Sequence, residues 1–74
     1  MERLEAKNFN INMNLIMDSR GISNAELSKR TGIAQSSISE YRKHKHKLSL
    51  DNAVLVAKSL NKTVDEMLAE PRGS

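Results

Sequence analysis

Apolar residues recur along most of this chain with the spacing of α-helices. The first periodic stretch places four apolar side chains on one helical face: Phe9, Met13, Ile16 and Met17. Gly21 follows at the position where a residue in the left-handed conformation ends a helix. Beside this face, Ile11 and Leu15 form a narrower apolar stripe, which Leu4 extends if the helix begins early. We therefore expect a first helix that ends at Gly21.

A second, shorter helix is predicted to begin with a capping box formed by Ser23 and Glu26. In this arrangement the Ser23 hydroxyl oxygen accepts from the Glu26 amide, and the Glu26 carboxylate accepts from the Ser23 amide. Gly32 ends the helix, because a glycine with positive φ lets the chain turn sharply at little cost. The expected inner side of this helix consists of small and apolar residues: Ala25, Leu27 and Ser28.

A third helix is predicted to follow the turn and to begin near Ala34. Ile38 and Tyr41 mark its inward face. Its first turn and outer side carry small polar residues: Gln35, Ser36, Ser37 and Ser39. A short helix that offers amides and hydroxyls, and that is braced by a partner helix, suits the major groove of DNA. Together the second and third helices predict a DNA-binding helix-turn-helix.

Two further helices are predicted in the rest of the chain. The fourth begins at Ser49, a residue suited to the N-cap, and ends where Asn61 adopts the left-handed conformation. It is apolar almost all round, so we expect it to be the most buried helix: Ala53, Val54, Val56, Ala57 and Leu60. The fifth opens with a capping box of Thr63 and Glu66 and ends before Pro71. The whole pattern predicts an all-α fold, a compact bundle of five short helices.

Length and composition exclude several classes of function. A chain of 74 residues leaves no room for a deep catalytic cleft, and it has no acid pair, nucleophile–base pair or phosphate-binding glycine loop. We therefore expect neither enzyme activity nor a cofactor. The absence of cysteine favours a reducing compartment, and no apolar run is long enough for a membrane span. Together with the polar N-terminus, which is not a signal peptide, this predicts a cytoplasmic protein with no membrane partner.

The sequence suggests three segments. Residues 1–7 are charged and rich in helix-forming residues, and they are either an N-terminal arm or the start of helix one. Residues 8–70 are expected to form the DNA-binding domain. Residues 71–74 are typical of the remnant of a cleavable tag, and we set them aside.

Positive charge is concentrated directly after the third helix. The chain has twelve Lys and Arg against nine Asp and Glu, and four of the cations fall within six residues: Arg42, Lys43, Lys45 and Lys47. Such a cluster beside a DNA-contacting helix adds affinity by releasing counterions. His44 and His46 lie within it, but the lysines would repel a metal ion, so no metal site is expected. Protonation of the two histidines would instead strengthen binding to phosphates at lower pH.

The ordered set of these residues resembles the Cro/repressor-like (XRE-type) helix-turn-helix domains of phages and bacteria, the lambda repressor-like fold. The resemblance covers residues 9–68 and depends on the spacing of these positions: Leu27, Gly32, Ile33, Ile38, Tyr41, Ser49, Leu50, residues 57–60 and residues 64–68. Ala34 departs from the pattern, since a capping Ser or Thr is common there. His44 and Leu48 also depart from it, in a loop where Gly and Pro are frequent.

The resemblance implies that the first turn and outer face of helix three contact bases. The expected base-contacting residues are Gln35, Ser36, Ser37, Ser39 and Lys43. Gln35 is the best candidate, because its amide can form two hydrogen bonds with the edge of adenine. The resemblance and the basic cluster together give the expected phosphate-binding residues: Asn24, Arg42, His44, Lys45 and Lys47.

These features favour a transcriptional regulator, in the simplest case a phage-type repressor that binds a palindromic double-stranded DNA operator as a homodimer. By analogy with the family, the dimer contact is expected on the last helix, at Val64, Met67 and Leu68. The stripe of Ile11 and Leu15 is the alternative contact, unless these residues belong to the core. The alternative function is a protein-interaction module of the same fold, such as an antitoxin subunit or a regulator controlled by an antirepressor.

Overall fold

All five predicted helices are present in a computed structural model of the chain. The structure describes residues 2–43 and 48–71, with side chains from residue 7 onward. The helices are α1 (Glu2–Arg20), α2 (Asn24–Thr31), α3 (Gln35–Arg42), α4 (Leu50–Ser59) and α5 (Val64–Leu68). The described ranges contain no strand, which confirms the all-α prediction. Helix α1 is continuous from Glu2, while the division of the chain at residues 8 and 70 stays a prediction.

The core lies where α1 and α4 support the α2–α3 pair. Helix α1 contacts α3 and α5, and α4 contacts α2 and α5. The largest side chains that are fully buried come from all five helices or the residues that end them: Met13, Met17, Leu27, Ile38, Val56, Leu60 and Met67. Each such side chain stabilises the fold by about 1.5–3 kcal/mol relative to an exposed position. The helix-turn-helix is therefore held in place from two sides.

Three helices end at a residue in the left-handed conformation, as the sequence predicts. Gly21 has a φ of 68°, Gly32 of 80° and Asn61 of 61°. After Gly21, the Ile22 amide donates to the Met17 carbonyl at 2.8 Å, which completes a Schellman-type end. The sharp turns that separate the helices are therefore encoded locally.

One of the two predicted capping boxes is complete and the other is half formed. In α5, the Glu66 amide donates to the Thr63 hydroxyl at 3.0 Å and the Thr63 amide donates to the Glu66 carboxylate at 2.8 Å. The hydrogen bond from the Thr63 amide lowers the pKa of Glu66 below its ordinary value. In α2, Ser23 accepts from the Glu26 amide, but the Glu26 carboxylate pairs with Arg30 at 2.7 Å. The second half of that prediction is wrong, because the i,i+4 cation competes for the carboxylate.

Helix α4 is buried on one side only. Its buried residues are Ala53, Val56 and Ala57. Leu50 is 74% exposed and Leu55 is 43% exposed, although α4 contacts both α2 and α5. Of the residues predicted to be buried in this region, Ala53, Val56, Ala57 and Leu60 are buried and Val54 is partly buried. In α2, Ala25 is also exposed, whereas the sequence placed it on the inner side.

Asparagines of α1 bind the ends of two other helices. Asn8 and Asn12 donate to the carbonyls of residues 67–69 at 2.8–3.2 Å, which caps the end of α5. Asn14 donates to the carbonyl of Arg42 at the end of α3, at 2.9 Å. Asparagine is a poor helix former, so its repetition within α1 is explained by these hydrogen bonds to other helices.

Two arginines satisfy the carbonyls at the end of α4. Arg20 donates to the Leu60 carbonyl at 2.8 Å, and Arg30 donates to the Ser59 carbonyl at 3.3 Å. A cation at this position also complements the negative end of the helix dipole. The ends of α4 and α5 are thus held by side chains from α1 and α2.

Asn10 is a source of instability that a single substitution should remove. It is 5% exposed, and its Oδ1 is buried with no hydrogen-bond partner among the residues that the structure describes. Asn10→Leu keeps the branched shape of the side chain and removes this oxygen, so we expect the free energy of unfolding to rise by about 1 kcal/mol. Urea denaturation measures the change. Asn10→Asp is the matched control and should destabilise the domain, since it buries a charge. A lower unfolding free energy for Asn10→Leu would contradict the prediction.

Candidate nucleic-acid interface

The turn between α2 and α3 is fixed by hydrogen bonds as well as by packing. The Thr31 hydroxyl donates to the Leu27 carbonyl at 2.8 Å and accepts from the Ile33 amide at 3.1 Å. Gly32, between them, adopts the left-handed conformation. Leu27, Ile33 and Ile38 are buried, so α2 and α3 pack through an apolar contact on both sides of the turn. The angle between the helices is therefore set by the sequence of the turn and its two flanks.

Helix α3 has one buried apolar face and one polar outer face. Ile38 and Tyr41 are buried, as predicted. The Tyr41 hydroxyl accepts from Asn52 of α4 at 3.0 Å, which anchors the end of the helix. All residues predicted to contact bases lie at the surface, either exposed or partly exposed: Gln35, Ser36, Ser37, Ser39 and Lys43. Ala34 makes no side-chain capping bond to α3, as its departure from the family pattern implies.

Arg42, at the end of α3, makes hydrogen bonds with both α1 and the start of α2. Its Nε donates to Asn14 at 2.6 Å, its Nη1 to Asn24 at 3.0 Å and its Nη2 to Asp18 at 2.5 Å. The Arg42 side chain is 22% exposed, and that of Asp18 is 70% exposed. The residue predicted to bind phosphate therefore already has a protein partner for every guanidinium nitrogen.

Asn24 lies at the first position of α2 and is half-buried. Its Oδ1 accepts from Arg42, which fixes the orientation of the amide plane. The donor end of the same amide, Nδ2, consequently points away from the guanidinium. A side-chain N–H donor at the first position of a helix can add to the backbone amides that bind a phosphate oxygen there.

A shallow depression separates α2 from the beginning of α3. It is lined by Ser23, Ala25, Glu26, Ser28, Lys29 and Gln35. Lys29 is an exposed cation next to the first residue of α3, and the sequence-based prediction of contacts did not include it. The sequence feature that could have identified Lys29 is its position on the polar side of α2. In the structure, Lys29 lines the same depression as Gln35.

Part of the predicted phosphate-binding cluster lies outside the described residues. Lys43 is exposed directly after α3. His44, Lys45, His46 and Lys47 lie outside the described ranges, and so does the hypothesis of a histidine-dependent affinity. Their contacts with DNA stay predictions.

The residues predicted for a dimer contact differ in exposure and fall into three groups. Met67 is fully buried within the single chain, so its assignment to a dimer surface is wrong: its side chain belongs to the core. Val64 and Leu68 are partly buried and pack against that core, and Ile11 is partly buried as well. Leu15 is 43% exposed. It lines an open groove between α1 and α5 together with Asn12, Ile16, Lys62, Glu66, Ala69 and Glu70.

Two short helices joined by a tight turn, with a polar outer face on the second, define a helix-turn-helix DNA-binding domain. The family model for the XRE-type, Cro/repressor-like helix-turn-helix matches residues 14–67, well over half of the chain. The chain belongs to this family, and it is a DNA-binding regulator of a family that is not typically enzymatic. No curated protein and no solved structure matches it. In the described part of the chain, no helix combines the length and apolar character needed to span a membrane.

Proposed function

We propose that this protein is a repressor that recognises a palindromic DNA operator as a homodimer, with α3 in the major groove. The proposal rests on the difference between the two faces of α3. Its inner face is buried against the core, while its first turn and outer face present amide and hydroxyl groups. Groups of this kind form hydrogen bonds with base edges in the major groove.

Gln35 is the principal base-contacting residue of the proposal. It is the first residue of α3 and is exposed, so its amide projects from the helix end that enters the groove. A glutamine amide pairs with adenine through two hydrogen bonds, which adds about 1–3 kcal/mol of discrimination. Four further residues supply less selective contacts on the same surface: Ser36, Ser37, Ser39 and Lys43.

Phosphate contacts position α3 in the groove. The Nδ2 group of Asn24 and the first amides of α2 bind one phosphate, and the exposed Lys29 and Lys43 supply charge on either side of them. The basic segment that follows α3 adds further affinity that is independent of sequence. Its members are His44, Lys45 and Lys47.

The homodimer forms through the groove between α1 and α5. Leu15 supplies exposed apolar area, and Val64, Leu68 and Ile11 lie partly exposed in the two helices concerned. Lys62 and Glu66 both line the groove, so a two-fold axis allows the cation of each protomer to meet the carboxylate of the other. Two copies of α3 then contact half-sites about 34 Å apart.

Selection from a pool of random DNA duplexes tests the proposal. The expected result is an enriched palindrome with half-sites one helical turn apart, bound with an affinity that falls steeply with salt. Lys58→Ala, which removes an exposed cation from α4, is a control for non-specific charge effects and should leave the enriched motif unchanged. The absence of any enriched motif, with binding that depends on salt alone, refutes sequence-specific recognition.

The exposed leucines of α4 favour a second candidate function. Leu50, at the start of α4, and Leu55 are both exposed, and exposed leucines of this kind suit a protein partner such as a toxin or an antirepressor. In that case partner binding is the main role of the domain. The same selection separates the two functions, because a pure interaction module enriches no DNA motif.

A further inference from the structure

We infer that Arg42 is a positioning residue, which holds α1, α2 and α3 together and orients the Asn24 amide toward a phosphate, rather than a phosphate ligand itself. The inference rests on the proposed DNA-binding function. It concerns how a cation within the basic cluster contributes to that function.

The geometry of the guanidinium carries the inference. Its three nitrogens donate to three different side chains, at 2.5–3.0 Å. Asn14 and Asp18 are one turn apart on the same face of α1, and Asn24 is the first residue of α2. The Asn14 amide also donates back to the Arg42 carbonyl. One side chain at the end of α3 thereby links all three helices.

A phosphate that draws the guanidinium away from the protein would have to displace these partners, although Nη1 and Nη2 each carry a second N–H. Asn14 and Asn24 would each lose the donor that their Oδ1 now accepts from, and Asp18 would lose its counterion. The guanidinium is partly buried, so these losses are only partly compensated by water. Arg42 therefore stays on the protein, and its charge is balanced by Asp18 before DNA arrives.

Because of this arrangement, removing Arg42 should change the affinity for DNA without changing how that affinity depends on salt. A cation that contacts phosphate releases counterions, and its removal reduces the slope of log affinity against log salt by about 0.9. A residue that acts only by positioning Asn24 lowers the affinity when it is removed, but it leaves the slope unchanged. Lys43, which is exposed and follows Arg42 directly, is the matched comparison.

The test measures fluorescence anisotropy of the selected operator with the wild-type protein and its variants at several salt concentrations. For Arg42→Gln we expect an affinity loss of about tenfold with an unchanged slope, and for Lys43→Ala a reduced slope. Arg42→Lys keeps the charge but cannot reach three separate acceptors, so it should not restore affinity. Recovery of affinity by Arg42→Lys, or a reduced slope for Arg42→Gln, overturns the inference.

A double-mutant cycle tests whether Arg42 acts through Asn24. Asn24→Ala combined with Arg42→Gln should weaken binding little more than Arg42→Gln alone, whereas independent phosphate contacts give additive losses. Additive losses overturn the inference. Circular dichroism verifies the fold of each variant.

Asp18→Asn provides a second route if Arg42→Gln does not fold. It should leave the salt slope unchanged, because Asn14 and Asn24 still hold the guanidinium. A slope that increases by about 0.9 shows instead that Arg42 moves to a phosphate once Asp18 is neutral, and it overturns the inference. Failure of the wild-type protein to bind the operator is a different result, which refutes the proposed function.

Discussion

Ile38→Ala should destabilise the domain strongly and thereby weaken DNA binding. The Ile38 side chain is fully buried in α3 and belongs to the core shared with α2. Truncating a buried isoleucine to alanine costs about 2–5 kcal/mol, because transfer free energy is lost and a cavity remains. Small domains are stabilised by only about 5–15 kcal/mol in total, and a chain of this size lies toward the lower end of that range. Thermal unfolding followed by circular dichroism measures the effect.

Two substitutions in the same helix serve as controls for Ile38→Ala. Ile38→Val removes one methylene group and should cost about 0.5–1.5 kcal/mol. Ser36→Ala changes an exposed position, so its unfolding free energy should stay within about 0.5 kcal/mol of the wild type. If Ile38→Ala unfolds at the same temperature as Ser36→Ala, the assignment of Ile38 to the core is wrong.

Gln35→Ala should relax base preference at one position in each half-site. The exposed amide contributes to no described hydrogen bond within the protein, so its loss affects recognition and leaves the fold intact. Losing a bidentate contact with adenine removes about 1–3 kcal/mol of discrimination, which corresponds to a factor of about 5–150 between the preferred and other bases. Repeating the duplex selection with the variant, and comparing the two enriched motifs position by position, measures the change.

Lys45→Ala is the comparison for Gln35→Ala. We expect it to weaken binding to all sequences about equally and to lower the salt slope by about one, because a phosphate contact carries no base preference. An unchanged motif for Gln35→Ala at every position would falsify its role in base recognition, even if the overall affinity falls.

Much of the fold follows from short-range features of the sequence. Glycine at positions 21 and 32 and asparagine at position 61 end helices because their backbones tolerate positive φ, a property of single residues. The helical spacing of Phe9, Met13 and Met17 identifies the buried face of α1, and all three are in the core. These features depend on residues at most a few positions apart, so they can be predicted without knowledge of the tertiary structure.

The features that escaped prediction depend on residues far apart in sequence. The basic run predicts that Arg42 binds phosphate, yet its side chain is bound within the protein by Asn14, which lies 28 positions earlier. The exposure of Leu55 depends on which face of α4 the helices α2 and α5 cover, and helical periodicity does not determine that choice. The repeated asparagines of α1 do indicate long-range contacts, because a helix interior that contains several poor helix formers needs tertiary partners for them.

The hydrogen bonds from Asn8 and Asn12 to the end of α5 link folding to assembly. Helix α5 has five residues, too few to persist alone in water, and its last carbonyls are satisfied by side chains 55–60 positions away. The surface proposed for pairing two protomers is formed by α1 and α5. It therefore exists only while these two helices are packed against each other. If the protein pairs as proposed, the temperature at which α1 and α5 separate should rise with protein concentration, because mass action stabilises the state that pairs.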